Sequence, residues 1–97
     1  MEFEIAFAAG RLAVTGDMTV YCASELKTAL LEQVPADSPT LEVDLSQIGE
    51  IDTAGLQLLL MLSRHVQGRM TVLSPSPTVQ AALALSHLNH LSLQEAA

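Results

Sequence analysis

The rhythm of apolar and polar positions changes repeatedly along the chain, and each change marks an expected element. Phe3, Ile5 and Phe7 alternate with Glu2, Glu4 and Ala6, the two-residue period of a half-buried strand. Ala9-Gly10 reads as a tight turn and Leu12 and Val14 resume the alternation, so the chain is predicted to open on a β-hairpin. Gly16-Asp17 breaks that pattern. Over residues 20–34 the spacing becomes three and four. Cys22, Ala23, Leu26, Ala29, Leu30 and Val34 share one side, while Ser24, Glu25, Lys27, Thr28 and Glu32 face away, as in an amphipathic helix. The "PADSP" run at 35–39 ends it, since proline cannot continue the backbone ladder.

Leu41, Val43 and Leu45 then alternate with Glu42, Asp44 and Ser46, a third strand. After Gly49-Glu50-Ile51 a helix is predicted over 53–67, with Gly68 as a left-handed cap. Residues 69–73 read as a short strand. "SPSPTV" starts a last helix reaching about residue 89, with Ser76 suited to the N-cap and Pro77 to the first helical position. The tail, 90–97, is ambiguous and compatible with another short helix. No internal repeat or linker interrupts the order β-β-α-β-α-β-α. Strand–helix–strand connections within one sheet are almost always right-handed. The expectation is therefore one α/β domain over 1–97, a four-stranded mixed sheet with helices packed mainly on one face.

Composition narrows the chemistry. At 49% apolar and 3% aromatic, the core must come from Leu, Val, Ile, Ala and Met, and stacking platforms for bases are not expected. A formal charge of −7, with Arg11, Lys27, Arg64 and Arg69 scattered, argues against nucleic acid and against an anionic membrane surface. Cys22 is the lone cysteine, which leaves no disulfide framework and no thiolate metal cluster. The start lacks a basic n-region, and no apolar stretch approaches the ~20 residues of a membrane span. A cytoplasmic protein without membrane insertion is expected.

Candidate chemistry concentrates in "EIDTAGLQLL", residues 50–59. A helix N-terminus carries unpaired N–H groups and roughly half a positive charge. Either Asp52 or Thr53 can supply the capping oxygen. The helix behind them is so apolar that one stripe cannot hold all its leucines. Leu56, Leu59, Leu60 and Ser63 share one face; Leu58, Met61, Leu62 and His65 lie around the side. Neighbours on both sides, or a partner on the second face, would account for this. His87 and His90 stand three apart but lack a third ligand, a poor zinc set. His65 is expected to face solvent, Tyr21 to lie at the surface beside Asp17, and Cys22 to fill the core on the inner side of the first helix. Asp44 and Asp52 are explained by a strand-end hydrogen bond and a helix cap. No nucleophile elbow or glycine-rich phosphate loop occurs, so neither an enzyme nor a cofactor is expected.

The stretch "VDLSQIGEIDTAGL" resembles the signature of STAS domains, whose type members are bacterial anti-sigma-factor antagonists. Asp44, Leu45, Ser46, Asp52, Thr53, Gly55 and Leu56 match it, and the element order fits nearly the whole chain. The resemblance implies a docking surface around the start of that helix, a protein partner such as an anti-sigma factor with serine kinase activity, and phosphorylation at Thr53. Two positions depart from the pattern. Ala54 follows Thr53 where the family often has two adjacent hydroxyls, and "GDMT" (16–19) replaces a common Gly-Glu-Leu-Asp. A single Thr after the Asp is also similar to the compact MlaB-like branch. That branch implies a subunit on the ATPase of a phospholipid-transporting ABC complex. "DTAGLQLLL" resembles small STAS proteins that accompany chemotaxis signalling as well. On any of these readings Asp17, Thr19, Asp52, Thr53, Ala54, Leu58 and Met61 are expected on or near the docking face.

Overall fold

The computed structural model describes residues 3–85 and 93–94. Strands β1 (Phe3–Ala8) and β2 (Arg11–Met18) form the expected hairpin. Its two-residue turn places both Ala9 and Gly10 at positive φ, 53° and 79°, which matches the twist of the flanking strands. Helix α1 spans Ala23–Gln33, strand β3 Leu41–Ile51, helix α2 Thr53–His65, strand β4 Met70–Leu73 and helix α3 Pro77–Leu85. A two-residue strand β5, Leu93–Gln94, follows. The four-stranded sheet thus gains a short fifth strand, in sheet order β1-β2-β3-β4-β5. Only the β1–β2 pair is antiparallel; the later pairs are parallel.

One face of the sheet carries the core. Phe7, Leu12, Val43 and Val72 sit opposite one another in successive strands, so their side chains point the same way. Leu12, Val43 and Val72 are fully buried. Leu26 and Leu30 of α1, Leu59 and Leu62 of α2, and Val79 and Leu83 of α3 join the same apolar cluster. On the other face Glu4, Ala6, Ala8 and Glu42 are exposed.

Several boundaries differ from the sequence reading, each for a packing reason. Gly16-Asp17 does not end β2; register shifts on either side of Thr15–Gly16 absorb the irregularity and pairing continues to Met18, as β-bulges allow. β3 likewise runs through Gly49-Glu50 to Ile51. Helix α1 begins at Ala23, later than residue 20, because Thr19–Cys22 form a turn closed by the Cys22 amide on the Thr19 carbonyl at 3.0 Å. Cys22 is therefore the N-cap rather than an inner helical residue. It is still buried, its thiol turned back to the Asp17 carbonyl at 3.2 Å. At the end of α2 the Gly68 amide reaches the Ser63 carbonyl at 2.8 Å and the Gln67 amide reaches Arg64 at 3.0 Å. That is the paired pattern of a Schellman motif, with Gln67 as well as Gly68 left-handed.

Ser76 caps α3 as expected: its Oγ accepts from the Val79 amide at 3.3 Å. Residues 86–89, the end assigned to that helix, lie outside the described residues, as do His87 and His90. In the tail the described segment is a strand, not a helix, because Leu93–Gln94 finds the open edge of β4.

Candidate protein-docking site

No loop intervenes between β3 and α2; Asp52 alone joins them. Its backbone is extended, and its side chain does two jobs. Oδ1 accepts the Gly55 amide at 3.2 Å, which makes Asp52 the helix cap. Oδ2 accepts the Val20 amide at 2.9 Å, while the Asp52 amide donates to the Met18 carbonyl at 3.2 Å. One carboxylate thus fastens the β2–α1 turn to the start of α2. Gly55 lets this happen. A Cβ there would collide with the Met18 main-chain oxygen and would come within 2.8 Å of an Ile51 side-chain carbon.

With Asp52 as the cap, Thr53 is released from that task. It is the first helical residue and exposed, and among the described residues its hydroxyl has no hydrogen-bond partner. The Thr53 and Ala54 amides also have no acceptor among the described residues, so two N–H donors at the positive helix end are unpaired.

The other expected residues divide into two neighbouring groups. Thr19 and Asp52, both half-buried, border a shallow cleft with Tyr21, Glu50, Ile51 and Thr78. Asp17 is half-buried beside it, directly across the sheet from Glu50. Like charges opposite one another oppose pairing, and together with Asp52 they make this rim strongly acidic. Ala54, Leu58 and Met61 instead line a groove between α1 and α2. Leu58 is a correction: it is buried, at 6% exposure, so it can supply only the floor of that groove. Leu60 and Met61 are half-buried and pack on the core while lining the same groove, so α2 is covered by the sheet and by α1.

Val20 and Tyr21 are the large apolar residues left most open near this end, at 64% and 90% exposure. Tyr21 lies at the surface as its sequence position implies; the pattern puts Val20 in the helix, and only the turn explains its exposure. Glu50 and Thr78 had no local signal, since strand pairing and the packing of α3 bring them here. His65 is corrected too. It is half-buried and its Nε2–H donates to the Val34 carbonyl at 2.8 Å, because a carbonyl can only accept. Asp44 accepts the Ser46 amide at 2.9 Å, but from within β3 rather than from its end, because the strand runs on to Ile51. Among the described residues no helix is long and apolar enough to cross a membrane.

Solved structures share this architecture. An anti-sigma factor antagonist from Mycobacterium paratuberculosis superposes with a TM-score of 0.80 at 20% identity, covering 97% of this chain and 85% of that one. The anti-sigma factor antagonist SpoIIAA in its unphosphorylated form gives 0.68 at 21% identity, over 98% and 88%. The Bacillus cell fate determinant SpoIIAA in the phosphorylated form gives 0.66 at 18% identity, over 98% and 91%. No curated protein matches the sequence. The fold is that of the anti-sigma-factor antagonists. A family model described as "Mlab, STAS domain" matches residues 1–95, and the chain belongs to the STAS family.

Proposed function

We propose that this protein is a cytoplasmic, non-catalytic interaction module of the anti-sigma-factor-antagonist kind. Phosphorylation of Thr53 switches its contact with a protein partner in a partner-switching or chemotaxis-linked circuit. The supporting observation is the exposed Thr53, its hydroxyl freed from capping by Asp52 and next to two unpaired amides. Phosphate adds about −1.5 to −2 charges. Beside Asp17, Glu50 and Asp52 that charge is unwelcome in a closed interface, where an uncompensated buried charge costs several kcal/mol. Each ~1.4 kcal/mol is tenfold in affinity, so one modification releases a tight complex. The helix N-terminus accommodates the same group within the protein itself. The existence of SpoIIAA in unphosphorylated and phosphorylated forms supports the reading by likeness of fold. The partner would be an anti-sigma factor with kinase activity or a chemotaxis component.

A second reading is favoured by the description of the matching family model, "Mlab, STAS domain", and by the single hydroxyl at Thr53-Ala54. In it the same face binds the ATPase of a phospholipid-transport ABC complex constitutively, and Thr53 acts as a contact side chain. Affinity capture with wild-type protein, Thr53→Glu and Thr53→Ala, read by mass spectrometry, separates the two. The switch requires that Thr53→Glu loses the partner, Thr53→Ala keeps it, and labelled ATP marks only a chain carrying Thr53. A subunit role requires that both variants weaken an ATPase complex with no label incorporated. Unchanged binding by Thr53→Glu overturns both readings.

A further inference from the structure

We propose that the groove between α1 and α2 receives an acidic amphipathic helix of a protein partner. The idea rests on the docking role given to α2 and names the chemistry of what docks there. The groove is an open one of about 610 Å³. Ala23 of α1 and Ala54, Leu58 and Met61 of α2 give it an apolar lining, and Lys27 and Arg64 stand on it from opposite helices.

The distribution of positive charge carries the argument. The chain has four basic residues against eleven acids. Arg11 lies 3.6 Å from Glu42. Arg69 is occupied by the Ser38 and Ala36 carbonyls and the Gln67 side chain. The side chains of Lys27 and Arg64 have no ion pair and no hydrogen bond among the described residues, and both residues are exposed. The two unengaged cations of an acidic protein therefore flank an apolar groove between two helices. An apolar stripe with carboxylates at its edges is the complementary surface, and an amphipathic helix offers both at the required width. The groove is open along its length rather than enclosed. A lipid or other small ligand needs most of its surface covered, so the open shape favours a peptide.

The test uses the full chain and a defined probe, a fluorescein-labelled helical peptide of about 16 residues, long enough for stable turns. One peptide has a Leu/Ala face edged by Glu; its counterpart carries Lys at the same positions. Anisotropy titrations should show the Glu peptide binding wild type, and weakening between roughly 0.05 and 0.5 M salt as screening grows. Lys27→Glu with Arg64→Glu should lower its affinity at least about tenfold and reverse the preference toward the Lys peptide. Both residues are exposed, so thermal melting of the double variant should match wild type; if it does not, Lys27→Ala with Arg64→Ala gives the same reading with a smaller loss. Equal binding of the two peptides, or no binding of either, overturns the proposal. Binding of dodecanoate or phosphatidylglycerol vesicles, lost on the same reversal while the Glu peptide is ignored, assigns the groove to a lipid and also overturns it. Thr53 is untouched in this assay, so a failed phosphoswitch leaves its result standing, and the converse holds.

Discussion

The two ends of α2 treat their polar groups in opposite ways. At the C-terminal end nearly everything is engaged: Gly68 and Gln67 close the last turn, His65 reaches Val34, and Arg69 holds the loop at Ala36 and Ser38. Ser38, buried in that loop, spends its hydroxyl on the Pro35 carbonyl at 2.7 Å. The N-terminal end fastens one residue, Asp52, and leaves the Thr53 hydroxyl and two amides unpaired and the Val20–Tyr21 pair exposed. Unsatisfied groups at a surface are available to a visitor, and satisfied ones are not. The closed end leaves one side chain free, that of Arg64 on the α1–α2 groove, whereas the open end leaves a cluster of groups unengaged.

The contrast breaks most severely at Gly55. Gly55→Ala pushes a methyl against the Met18 main chain, which cannot swing aside, and should destabilise by about 3 kcal/mol as overpacking does, measured by urea unfolding. Asp52→Ala removes the cap and the tie to Val20 together; a loss of about 1–2 kcal/mol is expected, and partner affinity should fall further than stability because the Val20–Tyr21 turn is released. Arg69→Ala sharpens the comparison from the other side. It should cost about 1–2 kcal/mol through its lost carbonyl contacts yet leave partner capture unchanged. The smallest effect on folding belongs to Thr53→Ala, within about 0.5 kcal/mol of wild type, although the same substitution should make the complex impossible to release. If Arg69→Ala impairs capture as much as Asp52→Ala does, the division between the ends is wrong.

Much of the fold could be read from period alone. The alternation at Phe3–Phe7 and Leu41–Leu45 and the Ser76-Pro77 signal led to elements found in place. Asp52 and Thr53 stand in the sequence as alternative caps, and the choice of Asp52 comes only from the structure; Gly55 enters through the family resemblance, and its close approach to Met18 has no local signal. The failures share one cause, which is tertiary pairing. Gly16-Asp17 and Gly49-Glu50 look like breaks locally, but neighbouring strands carry the ladder through them. Leu58 was assigned to the docking face because its covering neighbours come from elsewhere in the chain. His65 was read as solvated because its partner, Val34, lies thirty-one positions away. Lys27 and Arg64 were seen only as scattered charges, since nothing local shows that two helices bring them to one groove.

The absence of a side chain at Gly55 has a mechanical consequence. With a main-chain oxygen of β2 where a Cβ would lie, any larger residue at 55 would have to lift that end of α2 off the sheet like a shim under a post. The missing side chain thus sets the height at which the tip of α2, and Thr53 with it, stands above the strand end.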